Sequence, residues 1–324
     1  MENSLYPLKF TPIVKDKIWG GSRLRDVLKK EASETAGESW EISGVEGDLS
    51  VVANGFLAGN NLQEVMEVYM GDLLGEQVYD RFGLTFPLLI KFIDAADYLS
   101  IQVHPGDDMA LERHKSFGKT EMWYILASEE GKLVVGFNRD LDKESYGMLL
   151  REGQLPSVMN VEDVKPGDIY FIPAGRVHAI GPGVLLAEIQ QTSDITYRMY
   201  DWDRTDASGK GRELHTDQAL DAIDFKRQAV YKTPYATILN STVPAVTCPY
   251  FNTSVIRLDQ PVEKDYNLID SFVIYLCTEG GATIAYPGGT VSINKGETVL
   301  IPNELKNLTI LPRGKANLLE VYIP

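Results

Sequence analysis

The sequence predicts a mostly β fold assembled from two copies of one β unit, with a few short helices. Three observations carry this. Apolar runs of four to eight residues, bounded by Gly, Pro or Asp, recur along the chain, which is the pattern of barrel or sandwich strands. Helical periodicity is confined to three patches. Residues 165–178, KPGDIYFIPAGRVH, are echoed by residues 294–307, NKGETVLIPNELKN, each with an acidic residue after the Gly, an apolar run, and a Pro six positions beyond the Gly.

Taken in order, a helix is predicted over 61–75, where apolar residues at 62, 65, 66, 69, 70, 73 and 74 form one stripe. Strands follow in FPLLIKFID (86–94), LSIQVH (99–104), EMWYIL (121–126) and KLVVGF (132–137). A second helix covers 141–153, ended by Gly153. Strands DIYFIP (168–173) and VLLAEIQQ (184–191) precede a third helical patch at 216–225. The repeat also extends upstream, where EMWYILASEEG (121–131) aligns with SFVIYLCTEGG (271–281). Glu121 then falls on Ser271, an offset of 150, and His178 on Asn307, an offset of 129. The helix at 141–153 accounts for the difference as an insertion in the first copy. A metal site in the first copy would be lost in the second. The boundary is placed in the Pro- and Ser/Thr-containing stretch at 230–240, dividing the chain into 1–232 and 233–324.

At 324 residues the chain suits two packed units better than one core. Its 44% hydrophobic and 24% charged residues are ordinary for a globular protein. A net charge of −15 repels nucleic acid and anionic membranes. No stretch reaches the length of a membrane span and the N-terminus has no signal-peptide pattern. Cys248 and Cys277 lie in no metal spacing and read as reduced thiols of a cytoplasmic protein. An anionic ligand would need positive charge gathered in one cleft.

The chain has four histidines, His104, His114, His178 and His215. Strand alternation puts Ser100, Gln102 and His104 on one face. That face is either an inward ligand set or an exposed polar pair beside the Pro105-Gly106 turn. Glu121 opens a strand, and the turn at Pro173-Ala174-Gly175 delivers His178. The spacing Gly167-x5-Pro173-x-Gly175-x2-His178 matches the second signature of the cupin superfamily. The first signature is altered, because Gln102 and His104 lie well before Glu121. Gln, His, Glu and His form a mixed O/N donor set that suits Zn²⁺, with Mn²⁺, Fe²⁺ or Co²⁺ as alternatives. His114 and His215 read as surface residues.

KIWGG (17–21), GESWEIS (37–43), PLLIKFIDAADYLSIQVHP (87–105), GKTEMWYIL (118–126), GDIYFIPAGRVHAI (167–180) and LLAEIQQTSDITYRMYDWDR (185–204) together resemble the short bacterial form of the type I mannose-6-phosphate isomerases. The C-terminal part resembles that family only as a degenerate second cupin. The resemblance implies two cupin (jelly-roll) barrels and one zinc ion held by Gln102, His104, Glu121 and His178. It also implies a catalytic Arg198 across the cleft, with Lys119 and Glu188 nearby, and Lys91 and Ser100 in the substrate pocket. The large helical insertion of longer members is absent, replaced by the short helix near 141–153.

The implied reaction interconverts mannose 6-phosphate and fructose 6-phosphate through an enediolate. Lys119, Glu188 and Asp194 are the candidate bases, unranked by sequence. Arg198 is either a grip on substrate oxygens or an ion-pair partner of Asp201 or Asp203. Lys91, inside an apolar run, is either an edge-strand gatekeeper or an inward functional group. The expected partner is a sugar phosphate, with the chain a monomer or homodimer. Two alternative functions are an Fe²⁺ cupin oxygenase and a non-catalytic sugar-binding bicupin.

Overall fold

A computed structural model describes residues 4–205 and 208–324. Strands dominate, and every segment read as a strand forms one. Lys132–Phe137 and Val184–Gln191 have the bounds expected from their flanking Gly and Asp residues.

The first β unit faces two antiparallel sheets against each other. One has six strands in the order Ile169–Ile172, Glu121–Ser128, Val184–Gln191, Leu88–Ala95, Ile13–Gly21, Ala36–Ile42. The other has five, in the order Tyr197–Tyr200, Ile101–Val103, His178–Ile180, Lys132–Phe137, Met159–Asp163. Leu88–Ala95 and Val184–Gln191 are central and wholly buried, which explains their near-continuous apolar sequences. Lys91 therefore lies in a central strand, and its reading as an edge gatekeeper is corrected.

In the second unit the two faces are continuous. Val273–Tyr286 and Asn307–Tyr322 run as one long antiparallel pair. Register shifts at Cys277/Glu279 and Gly280/Ala282 bend this pair.

Helix Leu62–Leu74 starts at a capping box, in which Asn61 Oδ1 accepts from Glu64 N and Glu64 Oε2 accepts from Asn61 N. It is kinked at Met70, whose φ is 40°. Its buried Val65, Met66, Leu73 and Leu74 join a core that also holds Phe86, Val255, Phe272 and Leu319. This core joins the two β units.

The internal repeat is real, but its register differs from the sequence alignment. Gly167 N donates to Ile125 O and Ile125 N to Asp168 O; Gly296 N donates to Cys277 O and Cys277 N to Glu297 O. Ile125 thus corresponds to Cys277, and Glu121 to Val273 rather than Ser271. The Glu-x-Gly motif aligned turns of unequal length and displaced the strands by two residues. The insertion expected in the first copy is present as helix Lys143–Arg151 and a 3-10 turn, where the second copy has only Pro287-Gly288.

Val273 and Asn307 thus stand where the first unit has Glu121 and His178. Tyr275 faces Glu320 across the strands as Trp123 faces Glu188. Glu320 is buried against Tyr266, Tyr275 and Lys264 Nζ, the last at 2.5 Å. Removing the ammonium with Lys264→Met strands a buried carboxylate, which should cost about 3 kcal/mol of unfolding free energy. Chemical denaturation checks this, and an unchanged midpoint would show that the tyrosines alone satisfy Glu320.

Candidate active site and metal centre

The Pro173–Gly175 turn aims His178 between the two sheets. Gly175 adopts φ +86°, and a Cβ there would lie 2.9 Å from Ala222 O, so the turn requires glycine. Its amide donates to His104 O at 2.9 Å, tying the turn to the second imidazole. His178 pairs with Gln102 in register, and Glu121 projects from the opposing sheet.

Both histidines are held in the same way. His104 Nδ1 lies 2.8 Å from Ile195 O, and His178 Nδ1 lies 2.8 Å from Arg176 O. A carbonyl can only accept, so each Nδ1 carries the proton and each Nε2 presents its lone pair inward. Burial pushes His104 well below the ordinary imidazole range and His178 down to about 4, so both are neutral near pH 7. Glu121 lies between them, Oε2 3.5 Å from His104 Nε2 and Oε1 3.4 Å from His178 Nε2. Burial, aided by repulsion from Glu188, raises its carboxyl to about 7. Donor atoms of His104, Glu121 and His178 all lie within 4.8 Å of one another. Apart from the Lys119 ammonium, 3.0 Å from Oε2, no hydrogen-bond donor among the described residues serves either buried Glu121 oxygen. Two neutral imidazole lone pairs and a buried carboxylate are the donors a divalent cation needs. The Gln102 amide lies alongside, its Nε2 3.2 Å from His178 Nε2; turning the amide over puts its oxygen there.

Beside this cluster lies a cavity of about 310 Å³ lined by Lys91, Ser100, Gln102, Lys119, Glu188, Asp194 and Arg198 among others. Lys119 Nζ is 3.0 Å from Glu121 Oε2 and 3.1 Å from His104 Nε2. Lys91 Nζ pairs with Glu188 Oε1 at 3.0 Å, and Trp123 Nε1 donates to Glu188 Oε2 at 2.9 Å. Burial works against the Lys91 charge, but Glu188 and Glu38 outweigh it and raise its pKa. Ser100 is buried and Asp194 exposed at the cavity edge.

Arg198 pairs with Gln102 in register. Its Nη1 donates to Glu213 O at 2.8 Å, while its buried Nε has no partner among the described residues. The ion pair read from sequence does not form. Asp201 is taken by Arg204 and Arg212, both at 2.5 Å, and Asp203 accepts from Tyr200 Oη. Burial, reinforced by Arg212, lowers the Arg198 pKa from its very high value. His114 is exposed as expected, reaching Tyr197 Oη at 2.7 Å. His215 is half-buried instead, and exchanges two hydrogen bonds with the Arg198 backbone.

The cavity also recruits residues that sequence reasoning missed. Lys15, Lys17, Trp40 and Arg212 line it. Lys15 Nζ sits 3.7 Å from the centre of the Trp40 ring, and Lys17 reaches Glu38 at 3.3 Å. The signal was the alternation Lys15-x-Lys17-x-Trp19, which puts three long side chains on one strand face.

The family model described as phosphomannose isomerase type I, catalytic domain, matches residues 7–139. That described as mannose-6-phosphate isomerase, cupin domain, matches residues 241–323. The chain is similar to the mannose-6-phosphate isomerase of Streptococcus mutans, 34% identical over 304 residues, covering 93% of this chain and 94% of that protein. It is 35% identical over 302 residues to the mannose-6-phosphate isomerase ManA of Bacillus subtilis, covering 91% and 93%. The crystal structure of the mannose 6-phosphate isomerase from Bacillus subtilis matches at TM-score 0.88 and 32% identity, covering 98% of this chain and 99% of that one. With its paired histidines, buried glutamate and double β unit, the chain belongs to the type I phosphomannose isomerase family.

Proposed function

We propose that this chain interconverts D-mannose 6-phosphate and D-fructose 6-phosphate, with Gln102, His104, Glu121 and His178 holding one Zn²⁺. The supporting observation is the buried cluster of His104, Glu121 and His178, joined through Gln102 to a cavity that Lys91, Lys119 and Arg198 also line. Residues 1–232 would form the catalytic unit and 233–324 a degenerate barrel without a metal. The free thiols Cys248 and Cys277 suit a cytoplasmic enzyme.

The reaction moves a proton between C2 and C1 while negative charge develops on two adjacent oxygens. A divalent cation in the four-residue set would supply positive charge at those oxygens and a template for orienting them. Arg198 is permanently charged and carries no carboxylate partner among the described residues, so its guanidinium is available to a substrate oxygen. Lys119 is positioned to hold or move the proton, its Nζ already among buried polar groups. Lys91 and Glu188 neutralise each other, so they fix the pocket wall and orient hydroxyls rather than add net charge. Ser100 and Asp194 supply further hydrogen bonds at the wall and mouth.

The assay is fructose 6-phosphate formation from mannose 6-phosphate by zinc-loaded protein, with glucose 6-phosphate as the competing substrate; no turnover of the mannose compound would refute the reading. Arg198→Ala should lower kcat by about 10²–10³-fold while zinc content stays stoichiometric. Wild-type turnover in that variant would remove Arg198 from the chemistry. His178→Ala should lose zinc on dialysis, as read by elemental analysis, whereas retention of one zinc per chain would contradict the ligand assignment.

A further inference from the structure

A second cleft, which shares no lining residue with the first, opens between the two β units. It measures about 570 Å³, within the roughly 300–1,000 Å³ of small-molecule sites. Tyr124 and Gly167 come from the first unit, and Arg257, Thr278, Lys315 and Asn317 from the second.

Two observations separate it from a packing gap. The first is unanswered positive charge. Arg257 donates to Tyr235 Oη at 3.1 Å but meets no carboxylate. Lys295 and Lys315, which also line the cleft, form no ion pair among the described residues. The two acids of the cleft, Asp259 and Glu279, pair with none of these cations. In a chain of net charge −15, three cations to two acids in one cleft is a local reversal of sign.

The second is an unsatisfied acceptor. Asn317 is 5% exposed. Its amide nitrogen donates to Tyr124 Oη at 2.7 Å and to Thr278 Oγ1 at 2.6 Å, while Oδ1 accepts nothing. A buried carbonyl oxygen without a donor is costly, and Asn317 lines the cleft, so turning its side chain toward a ligand hydroxyl would relieve it. A guanidinium and two ammonium groups call for an oxyanion, best a phosphate. Leu126, Leu239 and Leu258 give an apolar strip for the C–H face of a carbon chain or ring.

We infer that this inter-unit cleft is a second ligand site, taking a phosphorylated polyol with its phosphate at Arg257, Lys295 and Lys315 and a hydroxyl at Asn317. Both β units contribute, so occupancy ties them together.

The probe is D-glucitol 6-phosphate, which lacks a carbonyl and so cannot be isomerised. Calorimetry on the zinc-loaded protein should show two binding events per chain. Arg257→Met should abolish one or weaken it by about tenfold or more, and leave turnover of mannose 6-phosphate unchanged. Arg198→Ala should spare that event. Should Arg257→Met fail to fold, the double variant Lys295→Ala/Lys315→Ala, altered at solvent-facing side chains, reads the same loss. A single event in the wild type that Arg198→Ala removes overturns the proposal, as do two events that persist in every cleft variant or no event beyond the active site at millimolar probe. If the chain proves not to be an isomerase, an event lost only in the cleft variants still supports the cleft.

Discussion

The structure depends on keeping ionisable groups buried between two sheets without leaving any charge unanswered. Lys91, His104, Lys119, Glu121, His178 and Glu188 are all nearly inaccessible to water. An isolated ion there would be strongly penalised, so each is either neutral or paired. The imidazoles are neutral, their Nδ1 protons fixed on backbone carbonyls. Lys91 and Glu188 answer each other directly across neighbouring strands. Glu121 is the exception that gives the site its chemistry. Its Oε2 pairs with the Lys119 ammonium at 3.0 Å, while among the described residues its Oε1 has only the His178 Nε2 lone pair 3.4 Å away. A cluster with one carboxylate oxygen facing an imidazole lone pair could hold a further cation.

The same constraint explains the second β unit. Once register is read from hydrogen bonds, Glu320 stands where Glu188 does and Tyr275 where Trp123 does. A carboxylate stands there too, satisfied locally by Lys264 and two tyrosine hydroxyls. With Val273 and Asn307 at the other two positions, the interior closes on aliphatic side chains such as Ile284, Ile293 and Ile310. The two units thus represent two solutions to one buried acid, one open to a ligand and one filled by its own side chains.

The strands were legible because each was short, apolar and fenced by Gly, Pro or Asp, as in 132–137 and 184–191. The grouping of His104, Glu121 and His178 was legible because the turn signature fixes where His178 points, and alternation put Gln102 on the face of His104. Other features were not, for reasons of distance. The direction of Lys91 depends on its strand being central, which only pairing with both Val184–Gln191 and Ala36–Ile42 decides. The partner of Arg198 depends on competition, since Arg212 lies close enough to occupy Asp201. The two-residue error in the repeat arose because motif matching weights turns, whereas register follows the ladder.

Charge placement completes the argument. The chain carries a large negative excess, yet Lys15, Lys17, Lys91, Lys119, Arg198 and Arg212 line one cavity. Most of these cations are held by an acid of their own: Lys15 by Asp48, Lys17 by Glu38, Lys91 by Glu188, Arg212 by Asp201. Such pairs fix side-chain geometry and remove net charge. Arg198 differs, because it is anchored through a backbone carbonyl and the backbone contacts of His215. Those neutral partners orient the guanidinium without cancelling it. Among the described residues the cavity thereby separates those that build its walls from one cation whose charge remains free for a ligand, an arrangement that focuses the field on a single point of an otherwise acidic chain.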